Sequence, residues 1–393
     1  MTPVTVVGVD GRPLSAWAVR RLAAATLVVG ASRHLDAVDV PASARTHVLG
    51  DLASGIGAIR GHDGLVVVLA SGDPGFFGIV RALRAEGVDV DVAPAVSSVS
   101  AAFALAGLSW DDAVVVSAHG RDLSRAVNAA RALPKVAVLT APSSGPAQLA
   151  EALRGWPRRL VVAERIGTPQ QRVVTATPEQ AAAREWADPN VVLSLTTTTT
   201  PRNWVWPARQ TPQWWGLDDE RFDHRDGMLT KSEVRATALA RLGPGVGDLV
   251  WDVGCGSGSV AIECARFGAA AIAVDRDPGQ CARARRNAVS HGVDVQVVVD
   301  EAPACLAALP APDAVFVGGG GTASVVAAAA RQPRAIVVAL AAVDRVSDAR
   351  DALRAASYDV GGTVLSAARL RDLPDGGTRL AATNPVFLVW GRR

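Results

Sequence analysis

Short runs of valine and other apolar residues alternate along the whole chain with alanine- and arginine-rich stretches of helical period. Such runs include VTVVGV, KVAVLTA and NVVLSL in the first half, and AAIAVD and AIVVAL in the second. Strands that are apolar along their entire length are covered on both faces, which is typical of largely parallel sheets with helices between the strands. The sequence therefore predicts an α/β protein.

The 393 residues are enough for two domains with separate cores. The alternation is interrupted after residue 195 by a stretch rich in proline, threonine and tryptophan that has no regular period. We predict a first domain over residues 1–200, a linker over 201–227 and a second domain over 228–393. The second domain opens with a predicted helix, TKSEVRATALARL, in which Thr230 is the N-cap and Glu233 completes a capping box.

Composition narrows the functional classes. The formal net charge is +2, and 20% of the residues are charged, so the sequence does not indicate the basic surface of a nucleic-acid-binding protein. The 4 cysteines form no CxxC pair, which argues against a disulfide framework or a zinc site. No signal sequence or apolar run of the ~20 residues needed to span a bilayer is apparent. We expect a cytoplasmic protein without a metal that binds neither nucleic acid nor membrane.

The stretch VWDVGCGSGSVAIECA, residues 250–265, predicts a strand, a glycine turn and a helix. Its glycines are Gly254, Gly256 and Gly258, whereas the dinucleotide fingerprint GxGxxG would need a glycine in place of Ser259. Three glycines at this spacing predict a backbone that closely approaches a nucleotide-like cofactor. The GxGxG pattern resembles that of class I methyltransferases, which hold the amino-acid end of S-adenosylmethionine in this loop.

Acidic residues after the following strands extend this candidate site. Asp275 ends the next strand, where a carboxylate can accept hydrogen bonds from the ribose of NAD or of S-adenosylmethionine. Glu301 and Ala302 follow the third strand, where the class I pattern contacts adenine. Together these signals favour a methyltransferase over a dehydrogenase. The cofactor-binding candidates of the second domain are Thr230, Asp252, Gly254, Cys255, Gly256, Ser257, Gly258, Asp275, Glu301 and Ala302.

Four consecutive glycines, residues 318–321, follow the fourth strand in VFVGGGG. They predict either close approach by a large, flat substrate or a flexible loop. With GLDDERFDHRDGMLTKSEVRATALARL, the glycine turn, DEAPACL and NPVFLVWG, they make residues 216–393 resemble the decarboxylating precorrin methyltransferases of cobalamin biosynthesis. The resemblance implies a Rossmann-like class I methyltransferase domain.

The first half resembles the tetrapyrrole methylases, which bind S-adenosylmethionine in a cleft between two α/β subdomains. The resemblance rests on VLASGDPGFFGI, residues 68–79, on PAVSSVSAAFALAGLSWDDAVVVSAHGRD, residues 94–122, and on VLTAPSSGPAQL and VVAERIGTPQQRV. It implies that the cleft is lined by Gly72, Asp73, Phe76 and Ser97 or Ser98. Gly72 would let the backbone approach the ligand, and Asp73 before a proline predicts a turn. The first loop, VVGVDGRPLS, is shorter than in these methylases, where it faces the tetrapyrrole.

Both halves, in this order, resemble the fused decarboxylating precorrin methyltransferases. The resemblance implies that carbons 5 and 15 of a reduced tetrapyrrole are methylated and that a ring C acetate loses carbon dioxide. It assigns carbon 5 to the first domain, and carbon 15 and the decarboxylation to the second. It also implies one S-adenosylmethionine site per domain and a homo-oligomer.

Methyl transfer to an enamine-like carbon requires alignment and exclusion of water but no strong base, and the sequence singles out no catalytic acid or base. The carboxylates of a precorrin call for cationic partners. Our candidates for binding them are Arg121, Lys231 and Arg235.

The sequence leaves three alternatives open. The enzyme could instead methylate RNA or protein. The first half could be a non-catalytic module that only binds the tetrapyrrole or mediates assembly. The substrate could contain cobalt or lack it, since similar domains serve both routes.

Overall fold

The computed structural model describes residues 4–119, 122–197, 214–225, 229–319 and 321–393. The chain forms two compact units. Unit 1 comprises Met1–Arg121, Ala137–Ala152 and Arg159–Leu195, and unit 2 comprises Asp122–Val136, Leu153–Arg158 and Thr196–Arg393. Two short stretches from the first half of the sequence thus belong to unit 2. The domain boundaries drawn from the sequence stay a prediction, and most of the predicted linker, residues 201–213 and 226–227, lies outside the described residues.

The first half of the chain contains two five-stranded sheets. Its strands are β1 (Val4–Val9), β2 (Leu27–Gly30), β3 (Arg45–Val48), β4 (Val66–Ser71), β5 (Val90–Ala93), β6 (Val114–Ser117), β7 (Lys135–Leu139), β8 (Arg158–Glu164), β9 (Arg172–Ala176) and β10 (Asn190–Thr196). The first sheet has the order β3-β2-β4-β1-β5 and is parallel throughout. The second has the order β6-β7-β10-β8-β9, and its β8–β9 pair is antiparallel.

Eight helices accompany these strands in the described part of the first half. They are α1 (Ala16–Ala23), α2 (Ser32–Leu35), α3 (Leu52–Arg60), α4 (Ile79–Ala85), α5 (Ser98–Leu105), α6 (Leu123–Ala132), α7 (Pro146–Ala152) and α8 (Pro178–Ala182). The valine-rich runs singled out in the sequence all form strands. The strands that periodicity missed are β3, β5 and β9, which lie at sheet edges. Edge strands carry more exposed polar residues, so they lack the continuous apolar run of a central strand.

Unit 2 is built on a seven-stranded sheet of order β13-β12-β11-β14-β15-β19-β16 and a separate hairpin, β17–β18. The strands are β11 (Leu249–Val253), β12 (Ala270–Asp275), β13 (Gln296–Val299), β14 (Ala314–Gly318), β15 (Ala335–Leu340), β16 (Asp359–Leu365), β17 (Ala368–Asp372), β18 (Thr378–Ala382) and β19 (Val386–Arg392). Strands β11 to β15 pair in parallel, and β19 runs antiparallel to β15 and β16.

The principal helices after residue 214 are α9 (Ser232–Leu242), α10 (Ser259–Arg266), α11 (Pro278–Ser290), α12 (Thr322–Ala330) and α13 (Arg345–Ala355), with short 3-10 turns at Asp219–Arg221 and Ala304–Ala308. Strand β11 lies between β12 and β14, so the chain order reverses at its carboxyl end. Ligands of open α/β sheets bind at such a switch point, and the glycine turn is there. No helix in the described ranges has the length and apolar character needed to cross a membrane.

The start of α9 differs from the prediction. The helix begins at Ser232. Its N-cap residue is Lys231, whose side chain does not form a capping hydrogen bond. The predicted capping box of Thr230 and Glu233 is therefore wrong. The Ser232 N–H instead donates to Oδ1 of Asp219 at 3.0 Å. A carboxylate thirteen residues earlier in the chain satisfies the orphan donor that a local N-cap normally satisfies.

Candidate functional site

The backbone conformation and close packing of the turn at the end of β11 require glycine at three positions. Gly254, Gly256 and Gly258 have φ angles of +73°, +52° and +76°, a region that costs other residues about 1–2 kcal/mol each. A Cβ on Gly254 would lie 2.0 Å from the carbonyl oxygen of Gly318, and one on Gly258 would lie 2.8 Å from the Cβ of Ala284. The turn therefore packs directly against the end of β14 and against α11.

Asp252 lies beneath this turn and is buried. Its Oδ2 accepts a hydrogen bond from the Ala261 N–H at 2.9 Å, which ties β11 to the first turn of α10. Its Oδ1 is also buried and has no hydrogen-bond partner among the described residues. Burial raises the pKa of Asp252 to about 7, a shift that the Ala261 N–H opposes and the nearby Asp275 increases.

Asp275 holds the turn from the neighbouring strand. Its Oδ2 accepts from the Gly256 N–H and its Oδ1 from the Asp277 N–H, both at 2.9 Å. A carboxylate oxygen has more than one lone pair, so these bonds leave acceptor capacity for hydroxyl groups of a ligand. The predicted position of Asp275 at the end of the strand is confirmed.

The turn also contains Ser257, whose Oγ is buried and finds no hydrogen-bond partner in the part of the chain that the structure describes. Its carbonyl oxygen accepts from Nδ2 of Asn287 at 2.9 Å. Buried polar atoms nearly always have partners in native proteins. Two such atoms, Oγ of Ser257 in the turn and Oδ1 of Asp252 beneath it, therefore have hydrogen-bonding capacity that the described residues do not use.

Other candidates of unit 2 lie in different environments. Cys255 is buried, and burial raises the pKa of its thiol, so the residue is a small neutral side chain. Glu301 has a side chain that is 71% exposed and pairs with Arg276 at 3.4 Å. Ala302 is partly buried beside it. Thr230 is partly buried too, and its carbonyl oxygen accepts a hydrogen bond from the guanidinium of Arg235.

The structure places Arg235 where a substrate does not reach it. Its side chain is 0% exposed, and its Nε pairs with Oε1 of Glu263 at 2.7 Å. The guanidinium also donates to the carbonyl oxygens of Thr230 and Leu217 and lies 4.6 Å from the centroid of the Phe222 ring. The expectation that Arg235 binds a substrate carboxylate is therefore corrected. The residue instead anchors the segment that precedes α9.

Of the other two predicted cations, Lys231 is among the described residues and Arg121 is not. Lys231 has a side chain that is 32% exposed, with its Nζ 3.6 Å from Oδ2 of Asp219. Lys231 therefore remains our candidate for contacting an anionic substrate group.

In unit 1 the structure brings Gly72 together with Ser97 and Ser98. Gly72 has φ +58°, and a Cβ on it would lie 3.0 Å from the Val96 carbonyl oxygen, 3.1 Å from the Ser97 Cα and 3.2 Å from the Ser98 nitrogen. Ser97 is the N-cap of α5, and its Oγ accepts from the Ser100 N–H at 3.1 Å. The ends of β4 and β5 thus meet in a cradle that a side chain at position 72 would fill.

The next residues form the predicted turn. The Oδ1 of Asp73 accepts from the Gly75 N–H at 2.9 Å, and the carbonyl oxygen of Asp73 accepts from the Phe76 N–H at 3.1 Å. The Phe76 ring is partly buried against the core of the second sheet and lies edge-on to Phe77, with centroids 5.0 Å apart. The prediction that Asp73 fixes a turn is confirmed.

A cleft of about 490 Å³ opens beside this cradle, between the loop after β1 and the loop after β5. Asp10 joins the two loops, because its Oδ1 accepts from the Arg12 N–H at 3.1 Å and its Oδ2 from the Val96 N–H at 3.2 Å. Most of the lining is apolar, and it comprises Val7, Gly8, Asp10, Arg12, Pro13, Leu14, Ser15, Ala18, Ala93, Pro94, Ala95 and Val96. The first loop therefore lines a cleft although it is short.

Sequence reasoning missed two residues at the end of β4. A Cβ on Gly8 would lie 2.1 Å from the Gly72 carbonyl oxygen, so only glycine fits where β1 passes this turn. The buried His34 has its Nε2 2.8 Å from Oγ of Ser71, the residue before Gly72. Burial, together with Arg33, lowers the pKa of His34 to about 4, so the ring is neutral near pH 7. The glycine within the valine-rich run of β1 was a visible signal, whereas nothing local pointed to His34.

Comparisons with known proteins agree with this two-part architecture. A family model described as tetrapyrrole (corrin/porphyrin) methylases matches residues 6–182, and one described as a precorrin methyltransferase domain matches residues 220–389. A decarboxylating precorrin-6Y C(5,15)-methyltransferase from Sinorhizobium sp is 40% identical over 332 residues, which cover 81% of this chain and 79% of that protein.

Two further relatives carry similar names. The decarboxylating precorrin-6Y C(5,15)-methyltransferase of Mycobacterium tuberculosis is 33% identical over 332 residues, covering 82% of this chain and 81% of the relative. A probable decarboxylating cobalt-precorrin-6B C(15)-methyltransferase of Pyrobaculum calidifontis is 37% identical over 195 residues, covering 47% of this chain and 97% of the relative. The chain belongs to the family of decarboxylating precorrin-6Y C(5,15)-methyltransferases.

Proposed function

We propose that this chain methylates a reduced precorrin at carbons 5 and 15 with S-adenosylmethionine and removes carbon dioxide from the ring C acetate. The observation that carries the proposal is that one chain of this family contains two different backbone cradles. They are Gly72 in unit 1 and the turn from Gly254 to Gly258 in unit 2. Each cradle sits at the carboxyl ends of strands, where open α/β sheets bind ligands.

We assign carbon 15 and the decarboxylation to unit 2. The shorter Pyrobaculum relative, which is named a C(15)-methyltransferase (decarboxylating), covers only 47% of this chain. This supports the view that one half suffices for those two steps in that protein. Carbon 5 is then left to unit 1, whose family model is that of tetrapyrrole methylases. The assignment implies one S-adenosylmethionine site in each unit.

The residues of unit 2 would hold the cofactor by backbone and carboxylate contacts. Bound S-adenosylmethionine supplies the methyl group from a positively charged sulfur. Gly254 and Gly258 keep side chains out of the turn, and Asp275 fixes the Gly256 N–H while it keeps acceptor capacity for hydroxyl groups. The orphaned Oδ1 of Asp252 and Oγ of Ser257 suit the polar end of the ligand or a water bound to it.

The residues of unit 1 would do the same with fewer contacts. Gly72 exposes backbone at the cradle, and the Asp73 turn fixes its direction. The adjoining apolar cleft, with the exposed Arg12 on its wall, fits a flat macrocycle that carries carboxylates at its rim. Apolar walls align the acceptor carbon and exclude water, which is the main requirement of a methyl transfer.

The decarboxylation makes a different demand. The bond between the carboxylate carbon and the side-chain methylene breaks, and its electron pair passes into the conjugated ring system of the substrate as carbon dioxide leaves. The methylene carbon then takes up a proton from water and becomes a methyl group. The protein must place this acetate in a poorly solvated position while it holds the other carboxylates by charge-assisted hydrogen bonds. Lys231, whose partly buried side chain lies beside α9, is our candidate for one of those contacts.

The proposal is tested by the mass of the product. The full chain is incubated with S-adenosylmethionine that carries a deuterated methyl group, and with precorrin-6Y or its cobalt-containing counterpart in separate reactions. We expect the product to gain two labelled methyl groups and to lose one carbon dioxide. The proposal fails if neither tetrapyrrole gains a label under conditions where the folded chain binds the cofactor.

The Asp275→Asn variant connects the reaction to the site. Replacing the carboxylate weakens its charge-assisted bonds, so KM for S-adenosylmethionine in the carbon-15 reaction should rise about tenfold. The control is Asp359→Asn, which changes an exposed acid on β16. An Asp275 variant with the KM of the control would remove this residue from the site.

A further inference from the structure

We propose that Arg369, on the hairpin strand β17, is a positioning residue that sets the place of Lys231 for binding a substrate carboxylate. The inference rests on the proposed function of unit 2. It concerns a cluster of two acids and two cations, Asp219, Glu233, Lys231 and Arg369, which we call the α9 cluster.

Arg369 uses its whole guanidinium within this cluster. Its Nε lies 2.9 Å from Oε1 of Glu233 and its Nη2 lies 2.7 Å from Oε2, a bidentate pair. Its Nη1 lies 2.8 Å from Oδ2 of Asp219, and its Nη2 also donates to Oγ of Ser232 at 3.1 Å. The bond from Arg369 lowers the pKa of Glu233 to about 2. A planar fork of five donors makes such contacts, which the single ammonium of a lysine cannot reproduce.

Asp219 is the acid that connects the two cations. It is 4% exposed, and its Oδ1 accepts from the Ser232 N–H at the start of α9 at 3.0 Å. Its Oδ2 is shared: Arg369 approaches to 2.8 Å, whereas Nζ of Lys231 lies 3.6 Å away. Arg369 therefore holds the shorter and stronger of the two ion pairs.

The charges explain what Arg369 does for Lys231. With both cations present, the α9 cluster is balanced, and Lys231 has an ion pair of moderate length next to Thr230. Without Arg369 the cluster has one excess negative charge, because both Asp219 and Glu233 lose their contacts with the guanidinium. Oδ2 of Asp219 is the acceptor already paired with Lys231. The attraction between opposite charges rises as they approach, so the ammonium of Lys231 would be drawn onto Asp219. An incoming carboxylate would then have to compete with Asp219 for the same ammonium.

The first test is the Arg369→Ala variant of the full chain. Because a charge-assisted contact to substrate is weakened, KM for the tetrapyrrole in the carbon-15 reaction should rise about tenfold while kcat stays within about twofold. Binding of S-adenosylmethionine, measured by calorimetry, should not change. The matched control is Arg371→Ala, an exposed arginine two residues along the same strand, which should behave as the wild type.

The second test separates positioning from mere stabilisation of the hairpin. Asp219→Asn in the Arg369→Ala background removes the excess charge and keeps an oxygen for the Ser232 N–H. It should bring KM back to within about threefold of the wild type, since coupled residues give non-additive effects. A structural role predicts further loss instead, and that result would overturn the inference.

Two results would also count against it. A wild-type KM in Arg369→Ala shows that Lys231 is placed without Arg369. A rise in KM that is matched by an equal fall in kcat, without rescue by Asp219→Asn, shows that the variant has damaged the whole site. If Arg369→Ala does not fold, Arg369→Lys takes its place, with a smaller rise in KM and the same rescue expected. The wild type is assayed before any variant. If it methylates no precorrin, the proposed function is refuted, and this failure is distinguished from a failure of the inference about Arg369.

Discussion

The two cradles reach the same kind of geometry by different means. In unit 2, the turn from Gly254 to Gly258 is fixed by distant residues: Asp275 holds one of its N–H groups, and the carbonyl of Gly318 lies against Gly254. In unit 1, Gly72 is likewise tied to β1, because its N–H donates to the Val9 carbonyl oxygen at 2.8 Å, but the carboxylate that fixes the turn is local, since Asp73 accepts from Gly75 two residues further on. The comparison shows that both turns are tied to a neighbouring strand, whereas the carboxylate that fixes the turn is distant in sequence in unit 2 and local in unit 1.

The difference should appear in how each cradle responds to an added methyl group. At Gly254, the added Cβ would meet a backbone oxygen at 2.0 Å, whereas at Gly72 the nearest atoms lie at 3.0 to 3.2 Å. The nearest atoms are backbone atoms at both positions, so the distance decides: a contact at 2.0 Å forces the turn to shift, whereas contacts at 3.0 to 3.2 Å require a shift of only a few tenths of an ångström. Unit 2 should therefore be the more sensitive of the two to substitution at its glycine.

The largest expected effect is that of Gly254→Ala. Its φ of +73° costs about 1–2 kcal/mol for any other residue, and the clash with Gly318 displaces the turn, so carbon-15 methylation and decarboxylation should fall roughly hundredfold or more. Product mass spectrometry of the full chain measures this, and carbon-5 methylation should persist. The control is Gly292→Ala, at φ +64° with no atom of the described residues within 4 Å of the added Cβ. Equal activities for the two variants would contradict our account of the turn.

A smaller effect is expected for Gly72→Ala. The added Cβ fits tightly rather than clashing, so the main penalty is the left-handed φ of +58°. Carbon-5 methylation should fall about tenfold, in proportion to about 1–2 kcal/mol of strain, while the carbon-15 product still forms. Gly87→Ala, at φ +74° in open space, is the matched control. A loss as severe as that of Gly254→Ala would remove the distinction between the two cradles.

A third effect concerns how the stability of the protein depends on pH through Asp252 in unit 2. The folded pKa of Asp252 is about 7, raised from 3.8 by burial. Between about pH 4 and pH 7 the folded state therefore binds a proton that the unfolded state has lost, so this residue makes the protein less stable as pH rises through that window. Asp252→Asn lacks the dependence. Urea unfolding from pH 5 to pH 8 should show the stability of the wild type falling relative to that of the variant, and a relative rise would refute the assignment.

Much of the fold was predictable because apolar runs and glycine spacing are properties of short stretches of sequence. The valine-rich runs gave the central strands of both units, and the spacing of Gly254, Gly256 and Gly258 gave the turn at the end of β11. Edge strands such as β3 and the hairpin β17–β18 were missed, since their exposed faces interrupt the apolar run. Periodicity detects burial on both faces, and these strands lack it.

The site was predictable only where its chemistry is local. The Asp73 turn and the position of Asp275 follow from neighbouring residues. The role of Arg235 was not visible, because its burial depends on Glu263, 28 residues further along. The predicted start of α9 was wrong for the same reason. Asp219, distant in sequence, supplies the hydrogen-bond acceptor that the local sequence assigned to Thr230. Contacts over long sequence separation leave no periodic or motif signal in a single chain.

The most direct test of the two-cradle account is the stoichiometry of cofactor binding. Isothermal titration of the full chain with S-adenosylmethionine should give two sites per chain, and Gly254→Ala should remove one of them while the other keeps its affinity. A single site in the wild type, lost completely in Gly254→Ala, would contradict the account, since it would leave the Gly72 cradle without the ligand for which we propose it is built.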